Sequence, residues 1–266
     1  MTVREWIRNN EVHGSVTFDV EKTIKHFPHL SEQVIRNELY RLNAQGIITT
    51  VYNGFYVVIP PQYAAKREVP HVYYIDQLMS YIGKPYYISL LNAAEILGSA
   101  HQRPQTFSVT TIFPKSTTSK EKSSAINWVY RKEIPEKFLL TKNSETGIIR
   151  YSNAELTAID IIQYSSHIGG LSRASTILSE LTEITNFKDK IEDLLQFTTI
   201  ATLQRLGYIL DVILEEKEQA EIILKQLTAL GKRLVYVPLS IQKDKSGEKN
   251  KKWKININTD IEVDDV

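Results

Sequence analysis

The sequence predicts an α+β fold, an N-terminal winged helix-turn-helix followed by a larger mixed α/β part. Three observations predict it. A polar-faced helix opening at Ser31 stops at Gly46 and runs into a hairpin turning at Asn53-Gly54. Strand-like runs then dominate up to Tyr151, and helical periodicity dominates from Asn153 to Leu230, the segregated order of an α+β chain. Finally, 266 residues are enough for a small domain and a larger one, each with its own core.

Taken in order, residues 2 to 10 predict a short helix with Val3, Trp6 and Ile7 on one face. Thr17 or Asp19 caps a second helix carrying Val20, Ile24 and Phe27, and Pro28 ends it. In the third helix Ser31 is the N-cap, Gly46 the residue past the end, and Leu30, Val34, Leu39 and Leu42 are expected to face inward. Ile47 to Val51 and Phe55 to Ile59 are the hairpin strands, and Pro60-Pro61 closes a module spanning residues 1 to 61. Residues 62 to 70, polar and flanked by proline, are expected to be a linker, with 71 to 266 forming the larger domain.

Within that larger part the pattern gives a helix from Tyr73 to Ile82 and a small-residue helix ending at Gly98. Strand signals follow at Thr106 to Phe113, Ser124 to Val129, Phe138 to Leu140 and Gly147 to Tyr151. Helices are expected at Asn153 to Tyr164, Leu171 to Leu181, Lys188 to Gly207 and Glu216 to Leu230. Trp253 to Ile257 alternates like an edge strand, after a lysine-rich segment from Lys243 to Lys254 and before an acidic end.

Composition excludes several classes. The formal charge is +1, so the whole chain does not coat nucleic acid by charge alone. Charge is instead sorted along the sequence: residues 115 to 142 carry a net +4 and residues 180 to 221 a net −6. The absence of cysteine removes disulfides, thiolate zinc sites and a cysteine nucleophile together. No leader-like N-terminus and no run of about 18 to 20 apolar residues is present, so the expectation is a soluble, cytoplasmic protein without membrane contact. There is no phosphate-binding loop, dinucleotide fingerprint or zinc motif. Neither a cofactor nor a metal is expected, and the chain is read as not an enzyme.

The residues that carry chemistry gather on the third helix and its hairpin. Gln33, Arg36, Asn37, Tyr40 and Arg41 point outward and are the types that reach base edges and phosphates. Against this, the first 60 residues hold six basic and six acidic side chains, which leaves protein docking as the alternative use of the module. Ser89, Glu95 and His101 do not have the spacing of a hydrolytic or metal set. His101, Gln102 and Arg103 are nevertheless the best polar cluster of the larger part. Glu155 and Asp160 lie five apart, on different helix faces, and Asp160 between two isoleucines reads as a buried acid.

The order of three segments resembles one family. They are Gly54-Phe55-Tyr56-Val57 closing the module, Tyr87-Ile88-Ser89-Leu90-Leu91-Asn92-Ala93-Ala94-Glu95 with Gly98 and Gln102-Arg103-Pro104, and Glu155 to Asp160 followed by Gly169-Gly170-Leu171. The chain is similar over most of residues 1 to 230 to the AbiEi antitoxins of type IV toxin-antitoxin, or abortive-infection, systems of phage defence. The resemblance implies a transcriptional repressor whose winged helix binds inverted repeats in its own promoter, with two or more copies on the operator DNA; it makes Ser31, Gln33, Arg36, Asn37, Tyr40 and Arg41, with Thr50, Tyr52 and Asn53 of the hairpin, the expected DNA contacts. It also implies a C-terminal domain that counters a nucleotidyltransferase-like toxin. The tail from Lys243 to Val266 has no place in that resemblance.

Overall fold

The structure, a computed structural model, describes residues 1–99, 104–115, 126–244 and 246–263. It is α+β and divides into two units: residues 1–87, 111–134 and 141–150 form the first, and residues 88–110, 135–140 and 151–266 the second. Among the described residues no helix is long and apolar enough to cross a membrane.

In the first unit, helix α1 (Val3–Val12) opens with a reciprocal cap, the Thr2 hydroxyl accepting from the Glu5 amide while the Glu5 carboxylate accepts from the Thr2 amide. Thr17 does not cap a helix. It begins a short strand, β1 (Thr17–Asp19), and Asp19 ends that strand and caps α2 (Val20–His26), its carboxylate accepting from the Lys22 amide at 2.7 Å. Helix α3 (Glu32–Ala44) starts at Ser31, whose hydroxyl accepts from the Val34 amide at 3.4 Å. It stops where Gly46 adopts φ +73° and the Ile47 amide donates back to the Leu42 carbonyl, a closing pattern that requires the left-handed backbone glycine adopts without strain. Strands β2 (Ile48–Tyr52) and β3 (Phe55–Val58) then form the hairpin, and β1 pairs with β3, so the small sheet runs β1-β3-β2, all antiparallel.

Ile35, Leu39 and Leu42 of α3 are wholly buried with Ile7, Phe18, Phe27, Ile48 and Val58, and Trp6, Leu30 and Tyr56 pack on that core. Val34 departs from expectation: it is 50% exposed, and Ile35 takes the inward position. A helix advances about 100° per residue, so with Leu39 and Leu42 fixed inward Ile35 lines up with them while Val34 falls about 110° away, on the flank of the helix.

The segment expected as a linker contains a short 3-10 helix, Pro61–Tyr63, and Arg67 donates to the Ala44 carbonyl at the end of α3. A second 3-10 turn, His71–Tyr73, leads into α4 (Ile75–Ile82). Burial drives the His71 pKa down to about 4. The unfolded chain therefore binds a proton that the native His71 refuses, so stability is full above pH 6.5 and falls as pH drops from there toward 4. The stability of a His71→Gln variant is expected to lose that dependence, by about 3 kcal/mol at the acid limit, in urea unfolding series run at pH 7 and pH 4.5.

Five further strands, β4 (Tyr86–Ile88), β5 (Phe107–Ile112), β6 (Ile126–Arg131), β7 (Leu139–Ser144) and β8 (Gly147–Ser152), are ordered β6-β5-β4-β8-β7, with β4 and β8 parallel.

The second unit is built on helix α6 (Ala154–Gln163), in which every residue from Ala154 to Ile162 is buried. Helices α5 (Leu90–Leu97), α7 (Leu171–Leu181) and α9 (Ile200–Tyr208) pack around it. A helix surrounded on all sides has no polar face to spare, so its charged residues must be answered internally. Glu155 is: its carboxylate takes Lys190 Nζ at 2.6 Å, the Asn186 amide at 3.1 Å and Asn153 Nδ2 at 2.6 Å. Asp160 is wholly buried, as its flanking isoleucines implied. The helix expected from Lys188 to Gly207 is interrupted. A single turn, α8 (Ile191–Leu194), precedes a restart at Thr199, whose hydroxyl caps α9 by accepting from the Thr202 amide at 3.1 Å. A π-helical turn (Ile209–Ile213) follows α9, and α10 (Lys217–Ala229) ends the helical part.

The C-terminal segment forms a sheet of its own, β9 (Val237–Pro238), β10 (Glu248–Asn250) and β11 (Ile255–Ile257), in the order β10-β11-β9. Contrary to the edge-strand expectation, β11 is central. Trp253 just before it is wholly buried against Gly207 of α9; a Cβ placed on that glycine would lie 2.1 Å from the indole ring. Trp253 Nε1 donates to Asp211 at 2.8 Å, Asp211 pairs with Lys252, and Gln204 Nε2 donates to the carbonyls of Val235 and Trp253 at 2.9 and 2.7 Å. The tail is thus part of the second unit's core.

Candidate nucleic-acid interface

Helix α3 presents one continuous polar face. With Ile35, Leu39 and Leu42 anchored in the core, Gln33, Arg36, Asn37, Tyr40 and Arg41 are all exposed. Gln33 Nε2 donates to Asn37 Oδ1 at 2.9 Å, Arg36 pairs with Glu32 at 2.6 Å, and Arg41 pairs with Glu38 at 2.8 Å. Each of these contacts is local to the helix surface and worth only about 0.3–0.5 kcal/mol, so the side chains re-aim at small expense. Tyr40 is 77% exposed on this face, and Val34 is exposed at its edge. Ser31 is exposed but spends its hydroxyl on the Val34 amide.

The hairpin set is arranged differently. Thr50 is half-buried and lies across from Tyr56, and Tyr52, also half-buried, lies across from Phe55, with an irregularity between Thr50 and Tyr52. Asn53 is exposed at the tip, and its carbonyl accepts from the Tyr81 hydroxyl at 3.2 Å. Tyr81 also lies edge-on to Tyr52 with ring centroids 6.2 Å apart. The tip is therefore braced on α4. Burial raises the Tyr81 phenol above its ordinary value, helped by the negative charges of Asp19 and Glu21. An acidic neighbourhood at the tip opposes phosphate, so the helix face is the stronger half of the candidate interface.

Two contributors had no signal in the sequence. Burial raises the Tyr56 phenol while the positive charge of Arg36 acts the other way, which places the strand β3 tyrosine beside the helix arginine. Tyr81 comes from α4, beyond the expected module, and only tertiary packing brings it to the hairpin.

His101, Gln102 and Arg103 lie outside the described residues. The other members of the weakly expected hydrolytic set are separated in environment: Ser89 is wholly buried with its hydroxyl accepting from Thr110 at 2.8 Å, while Glu95 is exposed. Leu90 carries a positive φ of 55° at the turn from β4 into α5, but its side chain is apolar and wholly buried. No cluster of three or more histidine, aspartate or glutamate groups suited to a metal occurs among the described residues.

The fold is shared with the RV2827C protein from Mycobacterium tuberculosis. Its crystal structure superposes with a TM-score of 0.67 at 13% sequence identity, over 94% of this chain and 88% of that one. Comparison with curated proteins gave no match. Residues 87–212, just under half of the chain, match the AbiEi antitoxin C-terminal domain. That part of the chain is therefore similar to the AbiEi antitoxins.

Proposed function

We propose that the protein is a cytoplasmic antitoxin of a type IV system that counters a nucleotidyltransferase-like toxin and represses its own operon. In this reading residues 1 to 61 form a winged helix-turn-helix that binds inverted repeats in the promoter, and residues 71 to 266 neutralise the toxin. The observation that supports the antitoxin half is the AbiEi domain at residues 87–212. The DNA half is supported by the order α1-β1-α2-α3-β2-β3 and by the exposed Gln33, Arg36, Asn37, Tyr40 and Arg41 on one face of α3. Because the module has no net charge, affinity rests on a few side chains and on two or more copies bound side by side.

Co-expression with a nucleotidyltransferase-like toxin encoded beside it is expected to restore growth; absence of such a neighbouring gene, or of rescue, removes the antitoxin half. A second reading, docking of a protein by the same module, is favoured by the exposed Val34 and Tyr40 on the α3 face. Titration of promoter duplex at several salt concentrations separates the two. A DNA reader that neutralises about four phosphates per copy loses affinity with a log–log slope of roughly −4 per copy. Absence of duplex binding even at low salt leaves only the docking reading.

A further inference from the structure

Arg205 lies in the last turn of helix α9, in a setting unlike that of Glu155 and Asp211 in the same unit. Glu155 is answered by Lys190, and Asp211 by Lys252. Arg205 is partly buried, and burial lowers its pKa from the ordinary arginine value, yet it forms no ion pair among the described residues. Its guanidinium makes one hydrogen bond, from Nε to the Pro238 carbonyl at 2.9 Å. That bond uses Nε and leaves both terminal nitrogens without a hydrogen-bond acceptor among the described residues. A cation partly removed from water without a counter-charge is unfavourable unless something else supplies the charge.

The group lines a small pocket of about 40 Å³, together with Ser165, Ser166, Gly170, Leu171 and Ser240. This is room for one compact group. The Ser165 and Ser166 hydroxyls have no hydrogen-bond partner among the described residues. Gly169 and Gly170 adopt φ of 98° and 104°, and beyond Gly170 the space is open, so backbone rather than side chain forms this wall. Helix α7 starts there without a side-chain cap, which leaves amides of its first turn available. The acidic tail approaches the start of α7, where the Glu262 amide donates to the Ser172 hydroxyl at 3.2 Å; neither Asp260 nor Glu262 pairs with Arg205.

We propose that this pocket binds a phosphate group, held by the Arg205 fork, the hydroxyls of Ser165 and Ser166, and the first amides of α7. A guanidinium fork, two hydroxyls and uncapped helix amides lining one pocket are a donor set for a tetrahedral oxyanion, whereas a planar carboxylate engages the fork alone. The pocket accepts free phosphate or the phosphate end of a nucleotide by the same chemistry, and the two sources separate by experiment.

Calorimetry and phosphorus NMR on the full chain at constant ionic strength test it, with inorganic phosphate, adenosine triphosphate, adenosine and acetate as probes. Saturable binding of phosphate, weakened at least tenfold in Arg205→Gln, is the expected result. Ser166→Asp, at an exposed position that leaves the core untouched, is expected to weaken it similarly by placing a carboxylate on the pocket wall. Saturation by inorganic phosphate at least as tight as by the triphosphate assigns the free anion; tighter triphosphate binding with adenosine inert assigns a nucleotide's phosphate end. Phosphate signals that never saturate, acetate binding as well as phosphate, or binding unchanged in both variants overturns the proposal.

Discussion

Replacing Trp253 with alanine is expected to destabilise the protein by about 3–5 kcal/mol, although the residue lies beyond the matched family domain. The indole is wholly buried, and it rests on the bare backbone of Gly207 where no other residue leaves room. Gly207→Ala is the complementary test. In an open helix that change stabilises by about 1 kcal/mol through propensity. Here the new methyl would meet the ring at 2.1 Å, so overpacking reverses the sign and the expected loss is about 1–3 kcal/mol. Combining the two separates contact from propensity. With the ring gone, alanine at 207 has space, and Gly207→Ala in the Trp253→Ala background is expected to be neutral or stabilising. Urea unfolding of the four proteins measures the cycle, and strict additivity would mean that the tail does not press on α9.

The Arg36→Ala, Asn37→Ala double variant is expected to lose about 2–4 kcal/mol of promoter binding, roughly 30- to 1000-fold, with little change in stability. Both residues are exposed, and their present partners are Glu32 and Gln33 on the same helix, so the core under Ile35 and Leu39 is not disturbed. Asn53→Ala at the hairpin tip is expected to cost less, because Tyr81 holds the tip through backbone and the charge nearby is acidic. Gel shifts against promoter and scrambled duplex, read beside thermal melts, distinguish a lost contact from a lost fold. A double variant that keeps its preference for promoter over scrambled duplex would falsify the role given to α3.

Local chemistry made much of the fold legible. Ser31 and Gly46 bracket α3 because a hydroxyl before an amphipathic run and a glycine after it satisfy orphan amides and carbonyls within a few residues. The same holds for Asn153 before α6 and for Gly98 after α5. Where two short-range readings competed, the sequence was ambiguous. Thr17 and Asp19 are both capping types, and only pairing with β3 turned Thr17 into a strand residue. Thr199 in the middle of an apolar periodic stretch did not announce a restart, since threonine is also tolerated inside helices.

The candidate interface divides along the same line. That Gln33, Arg36, Asn37, Tyr40 and Arg41 share a face follows from helical periodicity once Leu39 and Leu42 are taken as inward, and the sequence by itself determined it. It also determined the α+β class and the order of helix and hairpin, and three of its segments carry the resemblance to the AbiEi antitoxins. Tertiary structure alone decided that Tyr81 braces the hairpin, that Trp253 closes on Gly207, and that Arg205 reaches a pocket without a counter-charge. These contacts join residues 28, 46 and 33 positions apart, as with Asn53 to Tyr81, Gly207 to Trp253 and Arg205 to Pro238. Caps and periodicity act within a turn or two of helix, whereas burial and desolvation are set by whatever the folded chain brings alongside, which no local pattern encodes.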